Sequence, residues 1–416
     1  MKKFFSVTAF SALLTLCRMC AGFVVAKVVA IYAGPSGIAM LGQFQSVVTS
    51  ITGIVNAPAG SGVVRYTAEN HNNGVDYCAP WWRACIYCIM GLSLIILPAV
   101  WFFSEELSQV ILKDSEYSSS FKILALLIPF AAFGTMLTSI LNGQQNFRRF
   151  ISIGMVSVIF SSLIMLGFIY VYGLKGAINA VALQGGLVGV LVMMLCVTQP
   201  WFRFKYFFGK FNVIEIKKIG SYILMTATTA LCIPISLVII RKILVAHVGW
   251  ESTGEWQAVW KISETYLTVI TVALSTYYFP KLSKLNRVGE IKSEIFSVLK
   301  MVLPISILLA VLIYFSKDII IFILFTEQFK GARDLFLIQL IGDVVKVASW
   351  LFAYPMLSQG ATKWYISTEV LFSVSLISLT YVCVSHFGVQ GANIAYLANY
   401  ILYFFVAYKA LPLYVK

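Results

Sequence analysis

Phe150–Tyr172 reads FISIGMVSVIFSSLIMLGFIYVY, a continuous apolar run with no charged residue. The run slightly exceeds the ~20 residues that an α-helix needs to cross the hydrocarbon core of a bilayer. The motif Gly173-Leu-Lys-Gly-Ala177 follows, and a second apolar run occupies residues 176–198. This pattern predicts two membrane-spanning helices joined by a tight turn.

The same pattern recurs along all 416 residues of the chain. Mean hydropathy is +0.87, with 60% hydrophobic and 12% charged residues, which is far too apolar for a water-soluble protein. The connections between apolar runs are short and leave no room for a soluble domain. We therefore predict an all-α integral membrane protein with about twelve transmembrane helices. The predicted spans are residues 5–32, 38–63, 81–103, 119–141, 150–172, 176–198, 218–246, 255–279, 294–315, 332–357, 365–385 and 389–411.

Lysine and arginine residues near the helix ends favour one side of the predicted membrane. That side would hold Lys2, Lys3, Arg148, Arg149 and the basic residues of 201–218, whereas most loop acids fall on the other side. Because cytoplasmic loops carry an excess of Lys and Arg, we predict a multi-pass protein with both termini in the cytoplasm. This bias and the intramembrane cations explain the net charge of +14, so the charge does not indicate nucleic-acid binding.

The second half of the chain repeats the first at a shift of roughly 212–217 residues. Lys27 aligns with Lys242, Gly34-Pro-Ser-Gly37 with Glu251-Ser-Thr-Gly254, and Gly173-Leu-Lys-Gly-Ala177 with Gly388-Val-Gln-Gly-Ala392. Six helices return the chain to the same side, so the two halves should share one orientation and be related by a pseudo-twofold along the membrane normal. The predicted organisation is an N-terminal six-helix lobe at 1–200, a linker at 201–217 and a C-terminal six-helix lobe at 218–416.

The predicted linker alternates aromatic and basic residues. Trp201, Phe202 and Phe204 are interleaved with Arg203 and Lys205, and the pattern continues to Lys210 and Phe211. So many aromatic side chains would be poorly placed in water, which favours a segment lying on the cytoplasmic leaflet with its cations towards lipid phosphates. An ordinary basic cytoplasmic loop is the alternative interpretation.

Cationic residues interrupt several of the apolar runs. A cation in hydrocarbon costs about 2.5–3.5 kcal/mol even on insertion scales, so each must face protein, water or an anion. Arg18 lies in the middle of the first predicted helix, too far from either surface to reach it easily. At least one of the cations near external helix ends is expected to snorkel outwards. We predict a cationic cavity that binds an anion through Arg18, Lys27, Arg65, Arg83, Arg241, Lys242, Lys261 and Lys346.

Acidic residues in the same runs are fewer: Glu264, Asp343 and Glu369. Lys261 and Glu264 are three residues apart, as are Asp343 and Lys346, and this spacing places both groups on one helix face. One interpretation is local charge neutralisation. The other is a switchable pair, in which a proton or a phosphate competes for one partner. The three acids are our candidates for proton or ion coupling.

Several functional classes have no support in the sequence. It contains no G-x-x-x-x-G-K-[ST] motif, no zinc-binding pattern and no Ser/His/Asp set. Cys17-x-x-Cys20 and Cys85-x-x-Cys88 lie in or beside apolar helices, where cysteine is usually a small apolar residue. We therefore expect no metal site, no cofactor, no enzymatic activity and no nucleic-acid partner.

The helix 1–2 region, Ala26-Lys27-Val-Val-Ala30 through Gly34-Pro35-Ser-Gly37-Ile-Ala-Met-Leu-Gly42-Gln43-Phe44, resembles that of the multidrug/oligosaccharidyl-lipid/polysaccharide (MOP) exporter superfamily. Leu141-Asn-Gly-Gln-Gln-Asn-Phe147 and Gly173-Leu-Lys-Gly-Ala177 support the same resemblance. Within this superfamily the whole chain looks most like the Wzx-type flippases of the bacterial inner membrane. The resemblance implies a V-shaped, two-lobed fold like that of MATE transporters.

The resemblance also implies a function. Wzx-type flippases move undecaprenyl-pyrophosphate-linked oligosaccharide repeat units, of O-antigen or enterobacterial common antigen, to the periplasmic leaflet by alternating access. Such a protein would contact membrane lipids and other polysaccharide-assembly proteins. From the intramembrane acids, and not from the resemblance, we also expect a proton or sodium gradient to drive it. The alternatives are another MOP exporter, for drugs or for peptidoglycan precursor, and a membrane-embedded polysaccharide polymerase. A surplus of bases over acids disfavours a carrier for cationic drugs.

Overall fold

The computed structural model of the protein describes residues 2–209, 213–285 and 287–414, with side chains from Leu13 onwards except at a few positions. Lys210 and Phe211 of the predicted linker, and both ends of the chain, lie outside the described residues. The described residues contain helices and no β-strand. The α-helices are α1 (Lys2–Asn56), α2 (Ser61–Asn70), α3 (Val75–Phe102), α4 (Ser104–Leu112), α5 (Ser118–Gly143), α6 (Phe147–Cys196), α7 (Phe204–Phe207), α8 (Val213–Ala273), α9 (Phe279–Leu282), α10 (Val288–Phe315), α11 (Lys317–Leu324), α12 (Phe336–Ser358), α13 (Thr362–Phe387) and α14 (Gln390–Tyr414).

Nine helical stretches among the described residues are long and apolar enough to cross a membrane. Three of them contain a glycine with positive φ, at Gly34 in α1, Gly173 in α6 and Gly249 in α8. A left-handed residue cannot continue a right-handed helix, so each glycine separates two helical segments. Divided at these points, the nine stretches become twelve segments, which confirms the predicted all-α membrane fold with about twelve helices.

The predicted second span, residues 38–63, is wrong at its C-terminal end. Helix α1 ends at Asn56, a 3₁₀ turn covers Ala57–Ala59, and the separate helix α2 begins at Ser61. Pro58 lies in this turn. Proline lacks a backbone N–H and its ring clashes with the preceding turn, so the α-helix stops there.

The hairpins that join consecutive helices are built alike in both halves. Gly173 and Gly388 share nearly the same backbone angles, φ 57° with ψ −135° and φ 57° with ψ −141°. Three residues later, Gly176 and Gly391 each lie against a backbone carbonyl of the preceding helix. A Cβ would lie 1.9 Å from the oxygen of Phe168 at the first position and 2.3 Å from that of Cys383 at the second. The motif therefore needs glycine twice, once for the turn and once for close approach.

The described chain divides into two compact units. The N-terminal unit comprises Met1–Tyr32 and Gln43–Ile235, and the C-terminal unit comprises Ala33–Gly42 and Ser236–Lys416. In the N-terminal unit α5 and α6 pack closely, because Gly134 and Gly189 face each other. In the C-terminal unit an apolar core joins α8, α10, α12 and α14 around Phe352, Leu351 and Ile295. The lobe boundaries drawn from the sequence stay a prediction.

Aromatic side chains attach the linker to the N-terminal unit. Trp201 and Phe207 are buried, and the ring of Phe207 stacks 5.9 Å from that of Trp82 on α3. Arg203 and Lys205 are exposed, as is Phe204. The described part of the linker thus presents Arg203 and Lys205 outward and buries part of its aromatic surface. Its position on a lipid leaflet stays a prediction.

Candidate functional site

Asp343 is the centre of a polar cluster inside the C-terminal unit. It lies in the middle of α12 and is fully buried, with 0% of its surface exposed. Tyr266 donates a hydrogen bond to Oδ2 at 2.8 Å, and Tyr396 donates one to Oδ1 at 2.7 Å. The Nε2 atom of Gln339 donates to Oδ1 at 3.2 Å. Three neutral donors around one carboxylate replace the water that burial removes.

Lys346 lies three residues further along α12, and its ammonium is surrounded by aromatic rings. The distance from Nζ to the ring centroid is 5.6 Å for Trp260, 5.1 Å for Trp350, 5.3 Å for Tyr396 and 5.0 Å for Tyr400. Each distance is within the ~6 Å at which a cation is attracted by the electron-rich face of a ring. We call these four rings the aromatic cage.

Three carboxylates interact electrostatically with the same ammonium: Asp343, Glu264 and Glu369. Glu264 is also paired with Lys261, whose Nζ lies 3.7 Å from Oε2. That pair is far more open than Asp343, with side chains 44% and 43% exposed. The sequence spacing of three therefore yields one exposed ion pair and one buried carboxylate beside a caged ammonium.

Arg241 joins this group of charges from an earlier part of α8. Its side chain is only 2% exposed, and Nε donates a hydrogen bond to Oε1 of Gln257 at 2.7 Å. Its guanidinium also interacts electrostatically with Glu264. Three predicted cations, Arg241, Lys261 and Lys346, thus meet all three predicted acids within one unit.

The predicted cations of the N-terminal unit are dispersed. Arg18 is exposed on α1, and within the described residues no ion pair or hydrogen bond involves its guanidinium. Arg65 forms an exposed ion pair with Glu69 on the same helix, at 2.7 Å. Arg83 donates to the backbone carbonyl of Lys205 at 2.5 Å. Arg83, a predicted cation of this unit, thus contacts the linker and not an acidic cluster.

Lys27 and Lys242 are half-buried and lie a few residues before the helix breaks at Gly34 and Gly249. The N-terminal unit lacks an intramembrane acid comparable to Asp343 among the positions that the structure describes. The ion pair that Arg65 forms with Glu69 in this unit is exposed, in contrast to the buried carboxylate of Asp343 beside Lys346.

The cage residues and Tyr266 were not predicted from the sequence. The signal that could have found them is helical spacing, because Tyr396 and Tyr400 are four residues apart, as are Lys346 and Trp350. Residues four apart on a helix share a face. The contribution of Trp260 comes from a different helix, so spacing alone could not have shown it.

Comparisons with known proteins agree with this architecture. The family model described as "Polysaccharide biosynthesis protein" matches residues 6–286. The chain is 28% identical over 394 residues to the Lipid III flippase of Escherichia coli strain K12, covering 94% of each chain, and equally so to that of Shigella flexneri.

Solved structures with the same fold are transporters. An inward-facing multidrug resistance MATE transporter of the MOP superfamily aligns with a TM-score of 0.82 at 13% identity, covering 96% of this chain and 94% of the other. A Pyrococcus furiosus MOP transporter, described as having a binding pocket of reverse polarity, aligns at 0.70 with 13% identity over 99% and 96%. The fold is therefore that of MOP transporters, and with the family model covering well over half of its length, the chain belongs to the polysaccharide biosynthesis protein family.

Proposed function

We propose that the protein flips undecaprenyl-pyrophosphate-linked oligosaccharide repeat units from the cytoplasmic to the periplasmic leaflet of the bacterial inner membrane. The observation that carries the proposal is the family match together with a similarity to Lipid III flippases that spans 94% of the chain. A transporter fold of the MOP type is consistent with movement of an amphiphile by alternating access. Both termini would lie in the cytoplasm, as the distribution of Lys and Arg predicts.

Arg18 is the residue we assign to the pyrophosphate. Its exposed guanidinium lies within an apolar helix, where an isolated cation costs about 2.5–3.5 kcal/mol. A phosphate would offset that cost, since the planar guanidinium donates two parallel hydrogen bonds to adjacent phosphate oxygens. The remaining predicted cations, Lys27, Arg65, Arg83, Arg241, Lys242, Lys261 and Lys346, would add positive charge along the passage.

The C-terminal cluster is our candidate for coupling to an ion gradient. Asp343 is held by three donors and interacts with Lys346, so protonation of the carboxylate would weaken its attraction to the ammonium. Glu264 and Glu369 also interact electrostatically with the ammonium of Lys346, and they would take part in the same coupling. Buried acids of this kind commonly mark proton relays in transporters.

Transport is tested with purified protein in liposomes that contain a fluorescent undecaprenyl-pyrophosphate oligosaccharide in both leaflets. A membrane-impermeant quencher reports how much label is on each side. We expect relocation of unchanged lipid-linked sugar, a large loss of relocation in Arg18→Ala, and partial retention in Arg18→Lys. The matched control is Arg287→Ala, which removes an exposed arginine outside the helices.

The same assay distinguishes the alternatives. A longer or cleaved glycan would indicate a polymerase or another enzyme. Relocation of a lipid-linked peptidoglycan precursor in preference to the oligosaccharide would indicate the related flippase activity. Normal relocation in both Arg18 variants would remove Arg18 from the mechanism.

A further inference from the structure

The surroundings of Lys346 have the composition of a binding site for an organic cation. Four aromatic rings from three helices converge on one point: Trp260 from α8, Trp350 from α12, and Tyr396 and Tyr400 from α14. Cages of this kind recognise ammonium ligands through the negative faces of the rings. Here the point of convergence is occupied by the ammonium of Lys346 itself.

The electrostatics of the cage also fit a cation. Asp343, Glu264 and Glu369 all act on the same ammonium, and Glu264 also has a second cation, Lys261, at ion-pair distance. Asp343 lies directly behind the cage, because Tyr396 contributes its ring to Lys346 and its hydroxyl to Asp343 Oδ1 at 2.7 Å. A cation at this point is therefore stabilised by more than one carboxylate.

We propose that the aromatic cage, with Asp343 and Glu369, is a binding site for organic ammonium cations whose resident ligand is the side chain of Lys346. The inference goes beyond the proposed flippase function and does not rest on it. The ammonium of Lys346 blocks this site to free cations. Because it is covalently tethered, its effective concentration in the site is very high, and a soluble cation would have to displace it. Lys346 is in this sense a specificity-determining residue.

Shortening Lys346 should open the site. Lys346→Ala removes the ammonium with three of the four side-chain carbons and leaves four rings and the carboxylates without their cation. We expect n-butylammonium and tetramethylammonium to bind this variant roughly tenfold or more tightly than they bind the wild-type protein. Binding is measured on the full-length protein in detergent by the fluorescence of Trp260 and Trp350, with the probe-induced rise in melting temperature as a second readout.

Two controls separate the cage from general effects. Lys261→Ala removes a lysine from the same group of charges but leaves the cage filled, so it should respond to the probes as the wild type does. n-Butanol has the chain of n-butylammonium without its charge and should bind neither protein. Sodium chloride at equal ionic strength accounts for screening.

Lys346→Ala takes away the cation that interacts with Asp343, so this variant is at risk of not folding. The double variant Lys346→Ala/Asp343→Asn removes both charges and keeps the rings and Glu369, so it should still bind n-butylammonium, more weakly than the single variant. If whichever of these variants folds binds the probes no better than wild type, or if Lys261→Ala gains the same response, the proposal is overturned. The assay measures binding alone, so its outcome is independent of whether the protein flips lipid-linked sugars.

Discussion

The two halves of the chain share backbone conformations at equivalent glycines but differ in the side chains at other equivalent positions. Gly34 and Gly249 break their helices with φ 61° and 79°, and Gly173 and Gly388 turn their hairpins with φ 57° in both cases. The spacing is 215 residues for each pair. The predicted alignment of Gly34 with Glu251 is therefore off by two residues, since the backbone matches Gly34 to Gly249.

At the same spacing, Asp343, Lys346 and Tyr400 of the polar cluster have apolar counterparts in the N-terminal unit. In the N-terminal unit the Cβ of Ala131 lies 3.5 Å from the position that a Cβ on Gly185 would occupy, so α5 and α6 approach closely. The corresponding place in the C-terminal unit holds the contact between Lys346 and Tyr400. The equivalent residues are Ile128 for Asp343, Ala131 for Lys346 and Gly185 for Tyr400.

This difference shows that two repeats with the same backbone conformations can carry different kinds of side chain where their helices meet. One unit uses small residues to bring helices together, which leaves little space between them. The other replaces them with charged and aromatic side chains that satisfy one another. The backbone conformation is retained because it depends on the glycines of the hairpins and not on these positions.

The largest expected loss of stability comes from removing Asp343, whose equivalent in the N-terminal unit is Ile128. In Asp343→Ala, Tyr266 and Tyr396 lose their acceptor and Lys346 loses a carboxylate, so the free energy of unfolding should fall by about 3–5 kcal/mol. The exposed pair of Asp318 with Arg333, 2.7 Å apart, is the control, and Asp318→Ala should cost less than about 1 kcal/mol. Denaturation in detergent followed by circular dichroism measures both. Equal losses would show that the cluster does not stabilise its unit.

The shared hairpin is tested by giving its second glycine a methyl group. Gly176→Ala and Gly391→Ala would each place a Cβ against a backbone carbonyl, so each should destabilise the protein by about 1–3 kcal/mol. Gly167→Ala, on the same helix as Gly176, meets nothing within 4 Å and should be neutral or slightly stabilising. Thermal unfolding compares the three variants. A large effect in one hairpin but not in the other would break the equivalence of the two repeats.

The attachment of the linker distinguishes the N-terminal unit further. Arg83→Ala removes the charged donor to the carbonyl of Lys205, and bonds of this kind contribute about 1.5–3 kcal/mol. We expect faster tryptic cleavage after Arg203 and Lys205, measured by mass spectrometry of timed digests. The control is Lys205→Gln, which keeps the backbone carbonyl that accepts from Arg83. Because this variant lacks the trypsin site at residue 205, its cleavage is followed only after Arg203. Unchanged cleavage in Arg83→Ala would show that the aromatic contacts suffice.

The smallest effect concerns pH. The hydrogen bond that Lys281 donates to Glu294, at 2.6 Å, raises the pKa of Lys281 above its ordinary value of 10.5. A raised pKa in the folded state means that the stabilisation is complete below pH 10.5 and is lost as the pH rises through the folded value. The difference in melting temperature between wild type and Lys281→Met should therefore be constant from pH 7 to 10 and shrink above that.

The equivalent comparison in the N-terminal unit is the pair of Arg65 with Glu69. An arginine stays protonated throughout this range, so the difference between wild type and Arg65→Met should not shrink. Parallel loss of both differences above pH 10 would point to general alkaline unfolding instead of titration of Lys281.

Much of the fold follows from local sequence. Apolar runs near 20 residues must be helices in a bilayer, because only intrahelical hydrogen bonds satisfy their backbone. The breaks between predicted spans at 32–38, 172–176 and 246–255 contain Gly34, Gly173 and Gly249, where the helices do separate. Hydropathy extended the second predicted span to residue 63 because an apolar run continues through Pro58, and hydropathy does not register the N–H that proline lacks.

The sequence by itself also singled out charged residues of the C-terminal unit that lie close together in the structure, since intramembrane charges are few and their spacing of three places them on one helix face. Their functional roles stay a prediction. Only the tertiary structure decided which of them are buried and what surrounds them. Asp343 and Glu264 each lie three residues from a lysine in the sequence, yet Asp343 is fully buried among three hydrogen-bond donors and the side chain of Glu264 is 43% exposed. The reason is that burial and the aromatic cage depend on side chains from α8 and α14, which are distant from α12 in the sequence and meet it only after the helices pack.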